Sequence, residues 1–402
     1  MRIAFFTILS PIRSALADCA EGLILAMAKN QDVIIDIFIN DDYQPDNNQI
    51  LKQFNIYTYH KFAALADQYQ SILYWMGDHG QYHGFMLDFI HRFPGIVVLN
   101  DLTLHRCIMQ NTLDKGDPAT YQFELQYAYG NVNAIDIATQ IKKGQDDQII
   151  LKYPLYERVV DSSLGVIVHS EYGRNKILAS HPQSSVKRIP YPFFMPGQEL
   201  PGSLAEARAQ ARTSLDLSND TFVVGSSGIF VPNKHLGDSF SAFAHILPKH
   251  PRSKYILSGF AVPEYNLASH IEQMGLTPYV TLTGWLPPDE FSRQMAAFDV
   301  GIHLRYPHIG GVPYTPIRLM GLGVCTIISD IEPLAEFPQG ACIKIPPDAY
   351  QRDSLRAILE YLADHPDFRQ QIARNGQRFI EQNHDIDRIA EQYLQFLMAH
   401  RR

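Results

Sequence analysis

Residues Gly301–Asp330 read GIHLRYPHIGGVPYTPIRLMGLGVCTIISD and predict a strand, a glycine-rich loop, a short helix and a second strand. The runs Val300–Leu304 and Val324–Ser329 are apolar, partly β-branched and bounded by Gly and Pro. Such runs are typical of strands that are buried on both faces of a parallel sheet. The stretch therefore favours an α/β fold.

The loop between these two strands suits a phosphate. Gly310–Gly311 frees its backbone, Thr315 predicts the N-cap of the following helix, and Pro316 predicts the first helical residue, where no amide hydrogen is lost. A helix beginning there points unpaired N–H groups and a partial positive charge into the loop. A plain strand–loop–helix connection explains the same residues equally well.

Length and composition indicate a soluble globular protein of two domains. The chain has 402 residues, and domains of roughly 100–200 residues make two the default. With 46% hydrophobic and 19% charged residues, neither disorder nor a fibrous fold is indicated. The net charge of −8 argues against a general nucleic-acid binder, because neutralising phosphates needs a concentrated Lys/Arg surface.

The cysteines and the N-terminus favour a cytoplasmic protein. Cys19, Cys107, Cys325 and Cys342 show neither CxxC pairing nor a Cys/His ligand spacing, so we interpret them as reduced core thiols. The apolar run of MRIAFFTILS is much too short to span a membrane and predicts a first buried strand. A peripheral contact with the inner face of the membrane stays open, since amphipathic surface helices leave little signal in composition.

Strands and helices alternate along the chain, interrupted once by a proline-rich stretch. Polar, helical residues at 109–160 are predicted to be inserted before the strand Gly165–His169, and PYPFFMPGQELPG then breaks any regular element. The alternation restarts after it. We therefore predict two Rossmann-like, doubly wound parallel-sheet domains, residues 1–195 and 196–380, with a ligand cleft between them. No repeat of fixed period is visible in the sequence.

Several segments of the sequence resemble those of a known protein family. The matching phrases are PIRSALADCAEGL, YWMGDHGQYHGF, PGIVVLNDLTLH, GVIVHSEYGR, GSSGIFVPNKHL, VTLTGWLPPDEF and the stretch Gly301–Asp330. In order and spacing they resemble the GT-B fold glycosyltransferases of the retaining family 4, or group 1, type. The resemblance implies an acceptor-side first domain, a nucleotide-sugar-binding second domain, and a C-terminal helix within residues 381–402 that crosses back to the first domain.

The resemblance implies a set of donor-binding residues in the second domain. Lys234, after the Gly228 loop, would reach the diphosphate, whose growing charge cations and N–H groups stabilise. Arg305 and Arg318 would add positive charge, and Trp285 would line the base pocket. Backbone groups of the loop would hold the distal phosphate and the sugar: Gly310, Gly311, Val312, Pro313, Tyr314 and Thr315.

Each of these residues also has a structural interpretation. Position alone favours a solvated lysine for Lys234. Arg318 fits a salt-bridged residue about as well as a functional one, and Trp285 fits a core tryptophan about as well as a base-pocket wall. His303, on a buried strand, is expected to be structural.

On the first domain the resemblance implies a second group of site residues. Asp101 could orient a sugar or acceptor hydroxyl, and His105 or His83 could assist proton movement near neutral pH. Arg13 and Ser14 resemble the phrase that faces the acceptor or the leaving phosphate. We name Asp101, His105 and Lys234 as catalytic candidates, although a lone loop histidine is more often a hydrogen-bonded surface group.

The sequence also departs from the family pattern. The family usually carries two glutamates that hold the sugar hydroxyls and the ribose, and alignment through GLGVCTIISD places Gly310 and Arg318 at these positions. The usual arginine of the Lys234 loop is Ile229. These departures favour the alternative of a non-catalytic nucleotide-sugar-binding or partner subunit.

The function expected from the sequence is hexose transfer. A UDP- or GDP-sugar would donate to a hydroxyl of a glycan, a lipid-linked sugar or a small acceptor, as in polysaccharide biosynthesis. No Asp/His metal constellation is visible, so we expect a metal-independent enzyme without a cofactor. A weaker rival of the same architecture is a sugar-nucleotide epimerase.

Overall fold

The chain forms two compact units. The computed structural model describes residues 1–141, 143, 146–194 and 203–401. The first unit comprises Met1–Pro192, Ile309–Val312 and Ile386–Arg402, and the second comprises Phe193–His308 and Pro313–Asp385. The predicted boundary between residues 195 and 196 lies outside the described residues.

The first unit is built on a seven-stranded sheet in which every pairing is parallel. Its strand order is β3-β2-β1-β4-β5-β6-β7. The strands are β1 (Arg2–Phe6), β2 (Ile34–Ile39), β3 (Asn55–Thr58), β4 (Ser71–Met76), β5 (Ile96–Leu99), β6 (Gly165–Val168) and β7 (Val186–Arg188).

Helices cover this sheet and fill its long connection from β5 to β6. They are α1 (Ala15–Met27), α2 (Asn48–Gln53), α3 (Phe62–Leu65), α4 (Gly80–His83), α5 (Leu87–Arg92), α6 (His105–Asn111), α7 (Pro118–Tyr129), α8 (Ala134–Gln140), α9 (Asp146–Lys152), α10 (Glu157–Asp161) and α11 (Glu171–Ser180). Ser14 and Ser170 begin α1 and α11 because their side chains accept the unpaired N–H groups of Leu16 and Gly173.

The second unit is built on a six-stranded, all-parallel sheet of order β10-β9-β8-β11-β12-β13. Its strands are β8 (Val223–Phe230), β9 (Lys254–Ala261), β10 (Val280–Leu282), β11 (Val300–His303), β12 (Cys325–Ser329) and β13 (Ile343–Ile345). Its helices are α12 (Leu204–Ser214), α13 (Leu236–Ile246), α14 (Leu267–Gln273), α15 (Pro288–Ala296), α16 (Tyr314–Gly321), α17 (Gln351–Asp364) and α18 (Pro366–Asn383).

The last helix, α19 (Ile386–Ala399), belongs to the first unit. Its buried Tyr393 packs beside Trp75 of β4, with ring centroids 6.3 Å apart. The Ser71 hydroxyl at the start of β4 donates to the Leu397 carbonyl over 3.3 Å. The C-terminal helix is thus held on the face of the first sheet.

Aromatic side chains dominate the core of the first unit. The Phe6 ring lies 4.8–5.0 Å from the rings of Phe38, Phe62 and Tyr74. All four side chains are fully buried. Pairs of this kind stabilise by about 0.5–1.5 kcal/mol each beyond the area that they bury, so they help to hold β1, β2 and β4 together.

The predicted α/β architecture is confirmed, and one detail of the prediction is wrong. Strand β3 has a weak sequence signal, because the sequence NIYT of this edge strand lacks a buried apolar run. Helix α16 begins at Tyr314 with Pro313 as N-cap, whereas the sequence predicts Thr315 as N-cap. Pro316 is tolerated inside the first turn because N–H groups there have no intrahelical partner.

Candidate active site

The second unit keeps a space open at the end of β8. Gly228 has φ +104°, a conformation that other residues rarely adopt. A Cβ atom at this position would lie 3.1 Å from Lys234 Nζ and 3.8 Å from Thr315 Oγ1. The glycine therefore leaves free the space between an ammonium group and the first turn of α16.

Gly259, near the end of the neighbouring strand β9, allows that strand to lie close to Gly228. It has φ +136°, and a Cβ atom there would lie 2.0 Å from the backbone oxygen of Gly228. The two backbones approach so closely that only glycine fits. The shape of the site therefore depends on a pair of adjacent strand ends.

Lys234 ends a 3₁₀ turn, Pro232–Lys234, directly after β8. Its Nζ donates to the Ser227 carbonyl over 3.0 Å and lies 5.4 Å from the centre of the Phe230 ring. Burial of the ammonium, together with the positive charge of Arg305, lowers the pKa of Lys234 from 10.5 to about 7. An anion bound beside it would restore the full positive charge.

Hydrogen bonds tie the loop of Lys234 to the loop that follows β11. The Tyr306 amide donates to the Asn233 carbonyl over 2.8 Å, and the His235 ring nitrogen Nε2 donates to the Tyr306 carbonyl, also over 2.8 Å. The Arg305 amide donates to the Ser329 hydroxyl over 2.9 Å. These bonds fix the backbones that carry the two cations, Lys234 and Arg305.

His303 lies at the end of β11 and is 4% exposed. Burial and the charges of Lys234 and Arg305 hold the pKa of its imidazole well below the ordinary 6.5, so the ring is neutral. Its Nε2 atom is buried without a hydrogen-bond partner among the described residues. A neutral ring adds no further repulsion to a site that already holds two cations.

Arg318 is packed into the second unit. It is 3% exposed, and its guanidinium lies 4.6 Å from the centre of the Tyr314 ring and 5.8 Å from that of Phe291. The Tyr314 hydroxyl in turn accepts from the Phe194 amide over 3.0 Å. Arg318 thus stacks on the first residue of α16 and adds a positive charge close to the beginning of that helix.

An uncharged cavity of about 600 Å³ opens at the ends of β9 and β10. It is lined by Phe260–Pro263, Tyr265–Ala268 and Leu282–Gly284. Trp285 follows directly and is 42% exposed, so it is not a core tryptophan. This cavity offers backbone groups and apolar side chains at the same sheet edge as Lys234.

In the first unit, two carboxylates follow adjacent strands. Asp101 comes after β5, and its Oδ2 accepts the amide of Asp78 over 3.1 Å. Asp78 comes after β4 and accepts the Cys107 amide through Oδ1 over 2.9 Å, while its buried Oδ2 accepts no hydrogen bond from the described residues. Burial, and then the charge of Asp101, raises the pKa of Asp78 to about 7.

Both predicted proton-moving histidines are buried. His105 uses both ring nitrogens, one with the Tyr153 carbonyl over 2.6 Å and one with the Tyr121 hydroxyl over 2.8 Å. Burial lowers the pKa of His105 to about 4 and that of His83 to about 3. His105 would have to break one of these bonds to move a proton, which is the environment of a structural histidine.

The remaining predicted residues are divided between the units. Arg13 is exposed, and Ser14 caps α1. Gly310–Val312 belong to the first unit, where a Cβ atom at Gly311 would lie 2.8 Å from Asp101 Oδ1. Pro313–Thr315 belong to the second unit with Lys234, so the predicted donor loop is divided between the two units.

Comparison with known proteins identifies the fold. Residues 262–395 match the family model "Glycosyl transferase-like". Alr3699/HepE of Anabaena, crystallised with UDP and glucose, has a TM-score of 0.67 at 16% identity, with 99% of this chain and 100% of that chain covered. The chain has the GT-B fold.

Other GT-B structures are similar over the same length. Sucrose-phosphate synthase from Thermosynechococcus elongatus has a TM-score of 0.66 at 16% identity, with 98% of each chain covered. WaaG, a glycosyltransferase involved in lipopolysaccharide biosynthesis, has a TM-score of 0.65 at 13% identity, covering 98% of this chain and 99% of that chain. No curated protein matches this sequence.

The described residues contain neither a cluster of metal ligands nor a membrane-spanning helix. In residues 1–141, 143, 146–194 and 203–401, no group of three His, Cys, Asp or Glu side chains is placed to hold a metal ion. Among the same residues, no helix is both long enough and apolar enough to cross a bilayer.

The sequence alone did not identify Gly259 or Asp78. Similar tripeptides occur near the ends of three neighbouring strands, SSG at 226–228, LSG at 257–259 and LTG at 282–284, and this similarity was the available signal for Gly259. The sequence signal for Asp78 was weak: it is the acidic residue in MGDHG, directly after an apolar strand. Its proximity to Asp101 follows from the pairing of β4 with β5, which a sequence does not show.

The buried carboxyl of Asp78 predicts a pH-dependent stability. Because its folded-state pKa of about 7 lies above the ordinary value of 3.8, the folded chain keeps a proton that the unfolded chain releases, and stability falls as pH rises through this window. Asp78→Asn should remove this slope and raise the free energy of unfolding by about 2–4 kcal/mol near pH 8. Urea titrations near pH 4 and pH 8 measure both effects.

A matched control for this experiment is Asp67→Asn, a substitution at an exposed carboxylate of the same unit. It should leave the pH dependence unchanged. If Asp78→Asn alters the free energy of unfolding equally at both pH values, the folded chain does not hold a proton on Asp78 that the unfolded chain releases.

Proposed function

We propose that this protein is a retaining glycosyltransferase that moves a hexose from a nucleoside-diphosphate sugar to a hydroxyl acceptor. One observation carries the proposal: the Lys234 ammonium and Thr315, in the first turn of α16, border the space that Gly228 keeps free. Helix N-termini and buried cations both favour phosphate oxygens. A diphosphate in this space would be held from two sides.

The uncharged cavity at the ends of β9 and β10 supports a nucleotide as donor. Its apolar lining and backbone groups suit a nucleobase, with the exposed Trp285 as a neighbouring wall. The similar GT-B protein Alr3699/HepE was crystallised with UDP-glucose, which makes UDP-sugars the first donors to test.

Sugar transfer needs charge stabilisation at the leaving diphosphate. In the proposed reaction the bond from the anomeric carbon to the diphosphate oxygen breaks, and a bond from that carbon to the acceptor oxygen forms on the same face. The hydroxyl proton passes to an oxygen of the leaving diphosphate. Lys234 and Arg305 supply the positive charge that a metal ion supplies in other transferases, so we propose a metal-independent mechanism.

A donor panel tests the proposal. The full chain is incubated with UDP-, GDP- and ADP-hexoses, with and without a mixture of saccharide acceptors, and the released nucleotide and glycosylated products are quantified. We expect turnover with one nucleotide class and retention of the anomeric configuration. Absence of both binding and turnover with every donor would reject it.

The lowered pKa of Lys234 predicts that donor binding depends on pH. An anionic donor binds the charged ammonium better than the neutral amine, so its Kd should be constant below pH 7 and rise about tenfold per pH unit above it. Lys234→Arg keeps the charge at every pH and should flatten the profile. Calorimetric titration with UDP-glucose, whose diphosphate does not titrate in this range, is the measurement.

A nucleotide-sugar-binding protein without transferase activity is the second candidate. It is favoured by Arg318, which stacks on Tyr314 where the family pattern has a glutamate, so that no carboxylate stands at this position. Tight donor binding with no product from any acceptor would support it. Product analysis without acceptor also separates an epimerase, which would give an epimeric sugar nucleotide.

A further inference from the structure

The first unit contains a cavity of about 900 Å³ with no assigned role. It lies beyond the carboxyl ends of β2, β3 and β4, since Asn40, Tyr59 and His79 follow these strands and line it. Parallel sheets bind ligands at this edge. Its volume is near the upper end of small-molecule sites, enough for about two hexose rings.

One wall of the cavity is aromatic. The Tyr59 ring lies 5.1 Å from the Phe85 ring and 5.5 Å from the Phe89 ring, measured between centroids. Phe89 is anchored in the core, and Tyr59 and Phe85 are partly exposed. Flat apolar rings suit the apolar face of a pyranose, whose C–H groups all point to one side.

Another part of the lining is polar. Gln110 accepts the Gly80 amide over 2.6 Å, and Asn111 donates to the Gly80 carbonyl over 3.1 Å, so helix α6 is fastened to α4 across the cavity edge. Glu124 and Arg158, which also line the cavity, form an ion pair of 2.7 Å. Planar amides and carboxylates of this kind bind adjacent hydroxyl groups.

The cavity carries an excess of negative charge. Four carboxylates and two cations line it, and one carboxylate, Glu124, is paired with Arg158. Asp42 and Asp88 are exposed, and neither forms an ion pair with any residue that the structure describes. His79 adds no charge near neutral pH, because burial lowers the pKa of its ring. A phosphate or a uronic acid would therefore be repelled.

We propose that this cavity binds the acceptor as a neutral or amine-bearing saccharide of about disaccharide size, and excludes anionic sugars. The assignment of the saccharide as acceptor rests on the function proposed above. The aromatic wall of Tyr59, Phe85 and Phe89 holds the ring faces, and Asp88 at the rim binds an amino group or a hydroxyl.

Three β-1,4-linked disaccharides of similar shape test the proposal: the glucosamine dimer, cellobiose and cellobiuronic acid. Ligand-observed NMR titrations with the full chain, at a mildly acidic pH that protonates the amine, should give about tenfold tighter binding of the glucosamine dimer than of cellobiose. Cellobiuronic acid should bind weakest. Equal binding of the three, or no binding of any, overturns the proposal.

Two variants locate the binding. Asp88→Asn should abolish the advantage of the amine and change cellobiose binding less than twofold, whereas Gln81→Trp should fill the cavity and weaken binding of all three sugars. Asp136→Asn, an exposed carboxylate of the same unit that does not line the cavity, is the control. Sugar binding that is insensitive to both Asp88→Asn and Gln81→Trp overturns the proposal.

UDP-glucose binding, titrated in parallel, separates this inference from the proposed function. Saccharide binding that responds to these variants while no donor is turned over supports the cavity and rejects the transferase. Turnover of a donor without such saccharide binding rejects the cavity alone.

Discussion

Replacing Lys234 by methionine is expected to lower kcat for sugar transfer by about 10²–10³-fold, the usual cost of removing one group that stabilises developing negative charge. Lys234 Nζ lies 3.1 Å from the position that a Gly228 Cβ would occupy, inside the space that we assign to the diphosphate. Because charge on the diphosphate grows as the sugar leaves, kcat should fall more than donor affinity.

The fold should survive this substitution. Methionine matches the apolar stem of lysine, and it removes a cation whose lowered pKa shows that its charged form is unfavourable in the free protein. Lys249→Met, at an exposed lysine of the same unit that pairs with Asp364 on the surface, is the matched control and should leave activity unchanged. Wild-type kcat in Lys234→Met would exclude Lys234 from the reaction.

Replacing Gly259 by alanine is expected to destabilise the second unit by more than about 3 kcal/mol. The Cβ atom would lie 2.0 Å from the Gly228 backbone oxygen, and the residue would also keep φ +136°. Backbone atoms of two paired strands cannot move apart without breaking their hydrogen bonds. Urea titration followed by circular dichroism gives the loss, and hydrogen exchange should place it in β8 and β9.

Gly237→Ala is the control for this substitution. Gly237 lies in α13, and a Cβ atom there would have no neighbour within 4 Å. Alanine should be neutral or slightly stabilising there, because it is the better helix former. If Gly259→Ala were tolerated as well as Gly237→Ala, the close approach of β8 and β9 would not be a constraint on the native structure.

The fold was predictable because its strands are short apolar runs separated by helical patterns. The order of elements around Gly301–Asp330 is as predicted, since Val300–Leu304 and Val324–Ser329 cover β11 and β12. Helix α16 nevertheless starts two residues before its predicted first turn. The prediction used only local capping preferences. It did not take account of the hydrogen bond between Tyr314 and Phe194, two residues that are distant in sequence.

The candidate site was predictable only in part. Lys234 and Gly228 could be predicted as site residues from the sequence of their loop, and the structure places them close together. His105 was predicted as a site residue because imidazole can transfer protons near neutral pH, but both of its ring nitrogens are hydrogen-bonded within the protein. Asp78 and the aromatic wall of Tyr59, Phe85 and Phe89 depend on which strands are neighbours, and neighbours are set by topology rather than by local sequence.

The strand orders of the two sheets have a consequence for ligand choice. Counted from its own first strand, each unit begins with the order 3-2-1-4-5-6, so β2 and β3 correspond to β9 and β10. The 900 Å³ cavity and the 600 Å³ cavity therefore both open at the ends of equivalent strands. They differ because the first cavity also takes Gln110, Glu124 and Arg158 from helices inserted between β5 and β6, a connection that in the second unit spans only residues 330–342. The insertion thus enlarges one of two related strand-end cavities and gives it most of its charged side chains.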